Sequence, residues 1–180
     1  RLVTLIDDII RLSQLDEGCD MPFENVDLYE VATDVAAGLA DIAAIKDIEI
    51  AVTGETVRIK SVRRLLTEII FNLCDNAVKY NKDGGMVEVS VSREENQAVI
   101  SVKDSGIGIP AEHQARIFER FYRVDKSRSK ESGGTGLGLS IVKHAVQYLN
   151  GQIDLQSSPG EGTIIQIFLQ EDKNDVMQIS

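Results

Sequence analysis

The stretch Val62–Asn81, VRRLLTEIIFNLCDNAVKYN, constrains this chain more than any other part of it. Its apolar residues Leu65, Leu66, Ile69, Ile70, Leu73 and Ala77 recur at three- and four-residue steps, which predicts an amphipathic helix. At about 100° per residue, Asn72, Asn76 and Lys79 fall in one arc, with Tyr80 at the edge of the apolar stripe. A buried amide without a partner costs roughly 2–7 kcal/mol. An Asn in that arc is therefore either satisfied in the core beside a solvated edge or part of a site. On this helix alone both readings stand.

At 180 residues the chain can hold one domain with a real core, plus an appendage. A net charge of −10 argues against nucleic acid as a partner, because neutralising phosphates needs a basic face. The two cysteines, Cys19 and Cys74, make neither a disulfide framework nor a metal spacing, which points to a reducing, intracellular compartment. There is no signal-peptide pattern and no 18-residue apolar run. The chain opens on Arg1 inside a helical pattern, as expected of a piece of something longer.

Leu2, Leu5, Ile9 and Leu12 step as a heptad seam, so residues 1–18 read as a helix closed by Gly18. Residues 19–27 cross as an extended connector, with Pro22 barring helix. The domain proper is expected over 28–169, followed by a frayed tail at 170–180. Asp27 is the N-cap candidate of a helix over Leu28–Ile45. Short strands follow around Ile48–Val52 and Val57–Ile59, then the Asn helix and an Asp83-Gly84-Gly85 turn. Met86–Ser92 and Ala98–Asp104 read as antiparallel strands about a Glu94-Glu95-Asn96 turn. Pro110 opens a helix to about Phe118. Residues 122–135 have no period and are expected to be a mobile loop. Gly136–Leu149 is helical again, and Ile153–Gln156 with Thr163–Leu169 make a last hairpin. Hairpins with long helices imply an α+β sandwich: a mostly antiparallel sheet with helices on one face.

Three constellations carry chemistry. Asp104-Ser105-Gly106-Ile107-Gly108-Ile109-Pro110 leaves a strand with a carboxylate at its end and two glycines that let backbone approach a ligand. That carboxylate could accept from an exocyclic amine on a flat base, although the motif alone reads first as a plain turn. Gly133-Gly134-Thr135-Gly136-Leu137-Gly138-Leu139 leads into a helix whose free N–H groups suit phosphate, or serves as a flexible hinge. It matches neither G-x-G-x-x-G nor a P-loop, since Leu139 stands at the decisive position of both. The loop Arg123–Glu131 holds four Lys or Arg, Lys126 among them, against Asp125 and Glu131. A cationic loop beside a phosphate nest is what phosphoryl transfer asks for, and a solvated basic loop is the plain alternative. No His or Cys cluster suggests zinc. The neutral amide oxygen of Asn76 suits Mg²⁺, which keeps waters and takes other ligands from phosphates.

NLCDNAVKY, DSGIGIP, RIFERFYRVD and GGTGLGLSIVK resemble, in order and spacing, the N, first glycine, F and second glycine boxes of sensor histidine kinases. The resemblance covers residues 1 to about 169. It implies the Bergerat ATP-binding α/β sandwich, with 123–135 as the ATP lid and ATP and Mg²⁺ as ligands. It makes Asn76 the Mg²⁺ ligand, with Asn72, Lys79 and Tyr80 lining the phosphate and nucleoside side. Asp104 would take the adenine amine, above Gly106 and Gly108 and beside Ile109. Tyr122 and Arg123 end the F box, with Arg123 and Lys126 towards the terminal phosphates. Gly134, Thr135, Gly136, Leu137, Gly138 and Leu139 form the phosphate cradle, and Phe118 and Phe121 would pack to anchor the lid. Residues 1–18 are similar to the tail of the second helix of the dimerisation and phosphoacceptor hairpin.

The resemblance further implies a homodimeric full-length protein, a receiver domain of a response regulator as phosphate acceptor, and a cytoplasmic domain behind a membrane-anchored sensor. The phosphoacceptor His with its acidic neighbour, which also supplies the general base, is missing here. His113 and His144 lie in other surroundings and are expected to be ordinary exposed helix residues. No catalytic residue is therefore expected within the chain, and no autophosphorylation by it alone. Gyrase, Hsp90 and MutL-type ATPase clamps share the fold, but are similar in carrying a Glu where this chain has Asn72, which cannot take a proton at neutral pH. A nucleotide-binding partner module without transferase activity, or a serine kinase of the anti-sigma type, are the remaining alternatives.

Overall fold

The computed structural model describes residues 2–17, 20–124 and 134–170. The cap expected at Gly18, most of the expected lid with Lys126, and the tail lie outside the described residues.

Alternation of β-branched residues builds the sheet. On β4 (Met86–Glu94), Val87, Val89 and Val91 are buried at every second position. Their partners on β5 (Gln97–Asp104) are Asp104, Val102 and Ile100, and Val102 and Ile100 in turn oppose Ile165 and Ile167 of β7 (Gly162–Gln170). One apolar face results, running across β4, β5 and β7. β6 (Gln152–Ser158) closes that edge antiparallel to β7. At the other edge β2 (Glu49–Gly54) pairs parallel with β4, giving the order β2-β4-β5-β7-β6.

Three helices cover this face. α2 (Leu28–Ala44) begins where Asp27 accepts hydrogen bonds from the amides of Tyr29 and Glu30, at 3.0 and 3.2 Å. Such a cap contributes about 1 kcal/mol. α3 (Arg63–Lys79) buries Leu65, Leu66, Ile69, Ile70, Leu73, Cys74, Ala77 and Val78, the stripe foreseen from its period. α5 (Gly138–Tyr148) buries Ile141, Val142, Ala145 and Val146. The α+β sandwich expected from the hairpins is the architecture observed.

Two segments differ from expectation. The last four residues of the connector are a strand, β1 (Glu24–Asp27), antiparallel to β3 (Arg58–Ser61), and Val26 is wholly buried. This pair forms a two-stranded sheet of its own beside the five-stranded one. The helix expected from Pro110 to Phe118 is only α4 (Ala111–Gln114). Beyond it, turns such as Arg116 N–H to His113 O and Glu119 N–H to Arg116 O carry the chain while Ile117 enters the core.

α1 (Leu2–Asp16) lies against α5, with Leu12 and Leu15 buried and Leu12 in contact with Leu137 and Ile141. Burying each leucine stabilises the docked helix by about 1.5–3 kcal/mol. Polar pairs frame this seam: Asp8 with Thr135, and Asp16 with Arg120 and His144. Val3, Ile6, Ile9 and Ile10 stay exposed on its other side.

Candidate functional site

A cavity of about 720 Å³ opens between the C-terminal half of α3, the end of β5 and the start of α5. It gathers Asn76, Lys79 and Tyr80 from α3, Asp104, Gly108 and Ile109 from the β5 exit, and Tyr122 and Arg123 from the F-box end. Gly134, Gly136, Gly138 and Leu139 close it. Residues from all four sequence motifs thus meet in one concavity. Its floor is apolar, with Val102 and Ile165 from the sheet and Leu73 and Ala77 from α3.

Asp104 ends β5 as β7 passes beside it. Its Oδ1 accepts the Gly106 N–H at 2.8 Å. Burial pushes its carboxyl above the usual carboxylate range, and the backbone N–H groups of Gly106 and Thr163 partly offset this. The carboxylate is thus held beside an apolar floor with hydrogen-bonding capacity to spare, an acceptor set for a donor on a flat ligand.

Sterics fix the loop that follows. A Cβ on Gly106 would fall 2.5 Å from Tyr80 O and 2.7 Å from Asp104 Oδ1. Gly108 has φ +68°, and a Cβ there would sit 1.9 Å from Ser158 O. Ile109 N–H donates to Ser157 Oγ at 2.8 Å, while the Gln114 amide donates to Ile109 O and Ser157 O at 2.8 and 2.9 Å. The loop is thereby pinned to the β6–β7 hairpin.

On the opposite wall, α5 starts at Gly138 without a side-chain cap, so its orphan N–H groups and positive dipole end lie at the cavity. Arg123 Nη1 donates to Gly134 O at 2.7 Å, which closes the two ends of the expected lid onto each other. Lys79 pairs with Asp75 one turn earlier. Tyr122 is held by His113, whose Nδ1 lies 2.6 Å from the phenol oxygen, and by the Arg116 guanidinium 4.3 Å from the ring centre.

Four of the expected site residues, among those described, lie outside the lining. Asn72 spends its amide Nδ2 on Glu68 O at 2.8 Å, and its Oδ1 fills the space where a Gly138 side chain would be. Gly106 stands behind the Asp104 carboxylate. Thr135 turns away to donate to Asp8 Oδ2 at 2.8 Å, and Leu137 is fully buried against Leu12. The histidines are not idle surface: His113 is half-buried on Tyr122, and His144 Nδ1 lies 3.2 Å from Asp16 Oδ1. Phe121, expected to pack, is 58% exposed with φ 63°, whereas Ile117 is buried. Lys46 and Asn81 line the cavity without having been foreseen. Lys46 comes from a helix–strand turn that carries no motif, and Asn81 stood in the sequence only as a helix end.

Residues 61–173 match the family of histidine kinase-, DNA gyrase B- and HSP90-like ATPases. The chain is 38% identical over 173 residues to the sensor-like histidine kinase SenX3 of Mycolicibacterium smegmatis, covering 95% of this chain and 45% of that protein. It is 38% identical over 177 residues to the sensor protein kinase PmrB of Pseudomonas aeruginosa, covering 97% and 37%. Among solved structures, the mycobacterial sensor histidine kinase MprB matches with a TM-score of 0.73 at 30% identity, over 83% of this chain and 97% of that one. Full-length ShkA, crystallised in complex with AMPPNP, matches with a TM-score of 0.84 at 26% identity, over 95% and 36%. The chain spans less than half the length of these curated relatives. Motifs, fold and likeness agree: the chain belongs to the histidine kinase-, DNA gyrase B- and HSP90-like ATPase family, and within it to the sensor histidine kinases.

Proposed function

We propose that the cavity binds ATP with Mg²⁺ and presents its terminal phosphate to a histidine on a helical hairpin upstream of this chain, for relay to a response-regulator receiver domain. The observation that carries this reading is the convergence of Asn76, Asp104 and the glycine run on one cavity with an apolar floor. ShkA, similar over nearly the whole chain, holds AMPPNP, a triphosphate analogue. Among the described residues no three His, Cys, Asp or Glu side chains cluster as a metal site. Mg²⁺ tolerates this, since it retains waters and phosphate oxygens.

Bound ATP supplies an activated phosphoryl group, and the chain's own work is placement. Asp104 would accept from the exocyclic amine of adenine, and Gly108, Ile109 and Ile165, which line the same cavity, would offer the ring an apolar surface. Asn76 offers its amide oxygen to the ion, while Lys79 and Arg123 supply positive charge. The α5 N-terminus, opened by Gly138, receives phosphate oxygens. No side chain is assigned a proton-abstracting role. Asn72, at the position where ATPase clamps carry a general base, is a neutral amide that cannot take a proton, which favours transfer to a side chain over hydrolysis.

The full-length protein is proposed to be a homodimer behind a membrane-anchored sensor. Among the described residues no helix is long and apolar enough to cross a membrane. The experiment is a phosphotransfer assay with γ-labelled ATP and Mg²⁺, supplying a His-bearing hairpin from a relative in trans. Label on the hairpin, lost in Asn76→Ala, is the expected result. Tight ATP binding without transfer would leave a binding module, and brisk ATP hydrolysis would revive the clamp reading.

A further inference from the structure

Asn81 follows the C-terminal end of α3 and is one of few buried polar residues among those described, 8% exposed. Both ends of its amide are engaged. Nδ2 donates to Met86 O at 3.1 Å, and Oδ1 accepts from Lys82 N–H at 3.0 Å and from the Ser105 hydroxyl at 3.3 Å. Ser105 Oγ in turn accepts the Met86 N–H at 2.9 Å. The turn before β4 wraps closely around this amide, since a Cβ on Gly85 would fall 2.2 Å from Asn81 Oδ1.

Backbone groups fasten the same junction. Ile107 N–H donates to Tyr80 O at 3.1 Å, and Lys46 Nζ donates to Lys79 O at 2.8 Å and Val78 O at 3.4 Å. Carbonyls that a helix end leaves without partners are here taken by other segments. Asn76 and Tyr80 belong to α3, whereas Asp104 belongs to β5, and neither element's own hydrogen bonds fix how far apart they stand. Asn81 adds a side-chain tie across that gap, beside the Ile107–Tyr80 and Ser105–Met86 backbone bonds, and its partner Ser105 is the residue next to Asp104. A buried amide that merely stabilised the fold could stand anywhere; this one spans the gap between the two sides of the cavity.

We infer that Asn81 is a positioning residue of the nucleotide site, which through Ser105 and Met86 sets the Asp104 carboxylate against the Asn76–Tyr80 face and so selects a 6-aminopurine over a 6-oxopurine nucleotide. This role rests on the ATP-binding reading above.

The test measures competition by ATP and GTP, each with Mg²⁺, against a labelled adenine nucleotide on the purified chain, for wild type, Asn81→Ala, Ser105→Ala and the double variant. Each single substitution is expected to weaken ATP about tenfold, the scale of one buried hydrogen bond, and GTP less than about twofold. The double variant is expected to be no worse than Asn81→Ala, because both act through one junction. Should Asn81→Ala not fold, Ser105→Ala carries the same comparison from the half-buried partner. A lowered melting midpoint with an ATP-to-GTP ratio within about twofold of wild type would reduce Asn81 to a stabilising residue and overturn the inference. Absence of nucleotide binding by the wild type would show before any substitution, and would remove the ATP reading together with this role.

Discussion

The Thr135 hydroxyl donates to Asp8 Oδ2 across 2.8 Å, joining the glycine run to α1 over 127 residues of sequence. The same hydroxyl oxygen lies 3.3 Å from the Leu137 N–H, which donates to it. Thr135 thus shapes the approach to α5 and holds α1 at once. Thr135→Val and Asp8→Ala should each lower stability by about 1 kcal/mol in urea unfolding, with the double variant no worse than the larger single effect. Additive losses would mean that the two side chains act separately.

Asp104 sets function against stability. Its carboxyl titrates above the ordinary value of 3.8, chiefly through burial. In the interval between that value and the raised one, the folded state binds more protons than the unfolded state. Stability contributed by this group therefore falls as pH rises through that interval, and the penalty persists at neutral pH. Asp104→Asn should raise the melting midpoint at pH 7 and flatten this part of the pH dependence. The same variant should bind GTP more strongly relative to ATP. Unchanged ATP preference would count against the adenine assignment.

Gly108 tolerates no side chain. With φ +68° and Ser158 O 1.9 Å from a would-be Cβ, Gly108→Ala forces the loop off the β6–β7 hairpin. The expected loss is about 1–3 kcal/mol of stability together with ATP affinity. Gly84 also has positive φ, but nothing lies within 4 Å of its would-be Cβ. Gly84→Ala should cost stability through backbone strain alone and leave nucleotide binding intact. Calorimetry on the two variants separates the loop's role in the site from its backbone geometry.

Cys74 lies wholly inside the α3 core, and burial with the neighbouring Asp75 pushes its thiol up to about 12. The thiolate is the reactive form. At pH 8 Cys74 should resist iodoacetamide in the native protein and label only on unfolding, as read by peptide mass spectrometry. Native labelling at Cys74 would contradict the packing of α3 against the sheet.

Much of this was legible in the sequence because local periods survive into the fold. The three-four stripe of α3 and the alternation of Val87, Val89 and Val91 appear in the structure unaltered. β1 was not legible, since Glu24–Asp27 offers a single buried residue, Val26, and no period. The turns after Gln114 were misread as helix because Ile117 and Phe118 suit either conformation, and burial of Ile117 decided the outcome. The parallel pairing of β2 with β4 depends on partners far apart in the chain, which alternation cannot specify. In the site, glycines and Asp104 announced themselves by motif. Lys46 did not, because its reach to the carbonyls of Val78 and Lys79 exists only once α2 and α3 are packed.

Asp8 and Asp16 stand eight positions apart on α1, about 12 Å along a rigid rod. One grips Thr135 and the other Arg120, on either side of the segment that holds the cationic loop. The two moorings share one helix, so any displacement of that rod acts on both together, next to Arg123 and Gly134 at the cavity and away from the sheet.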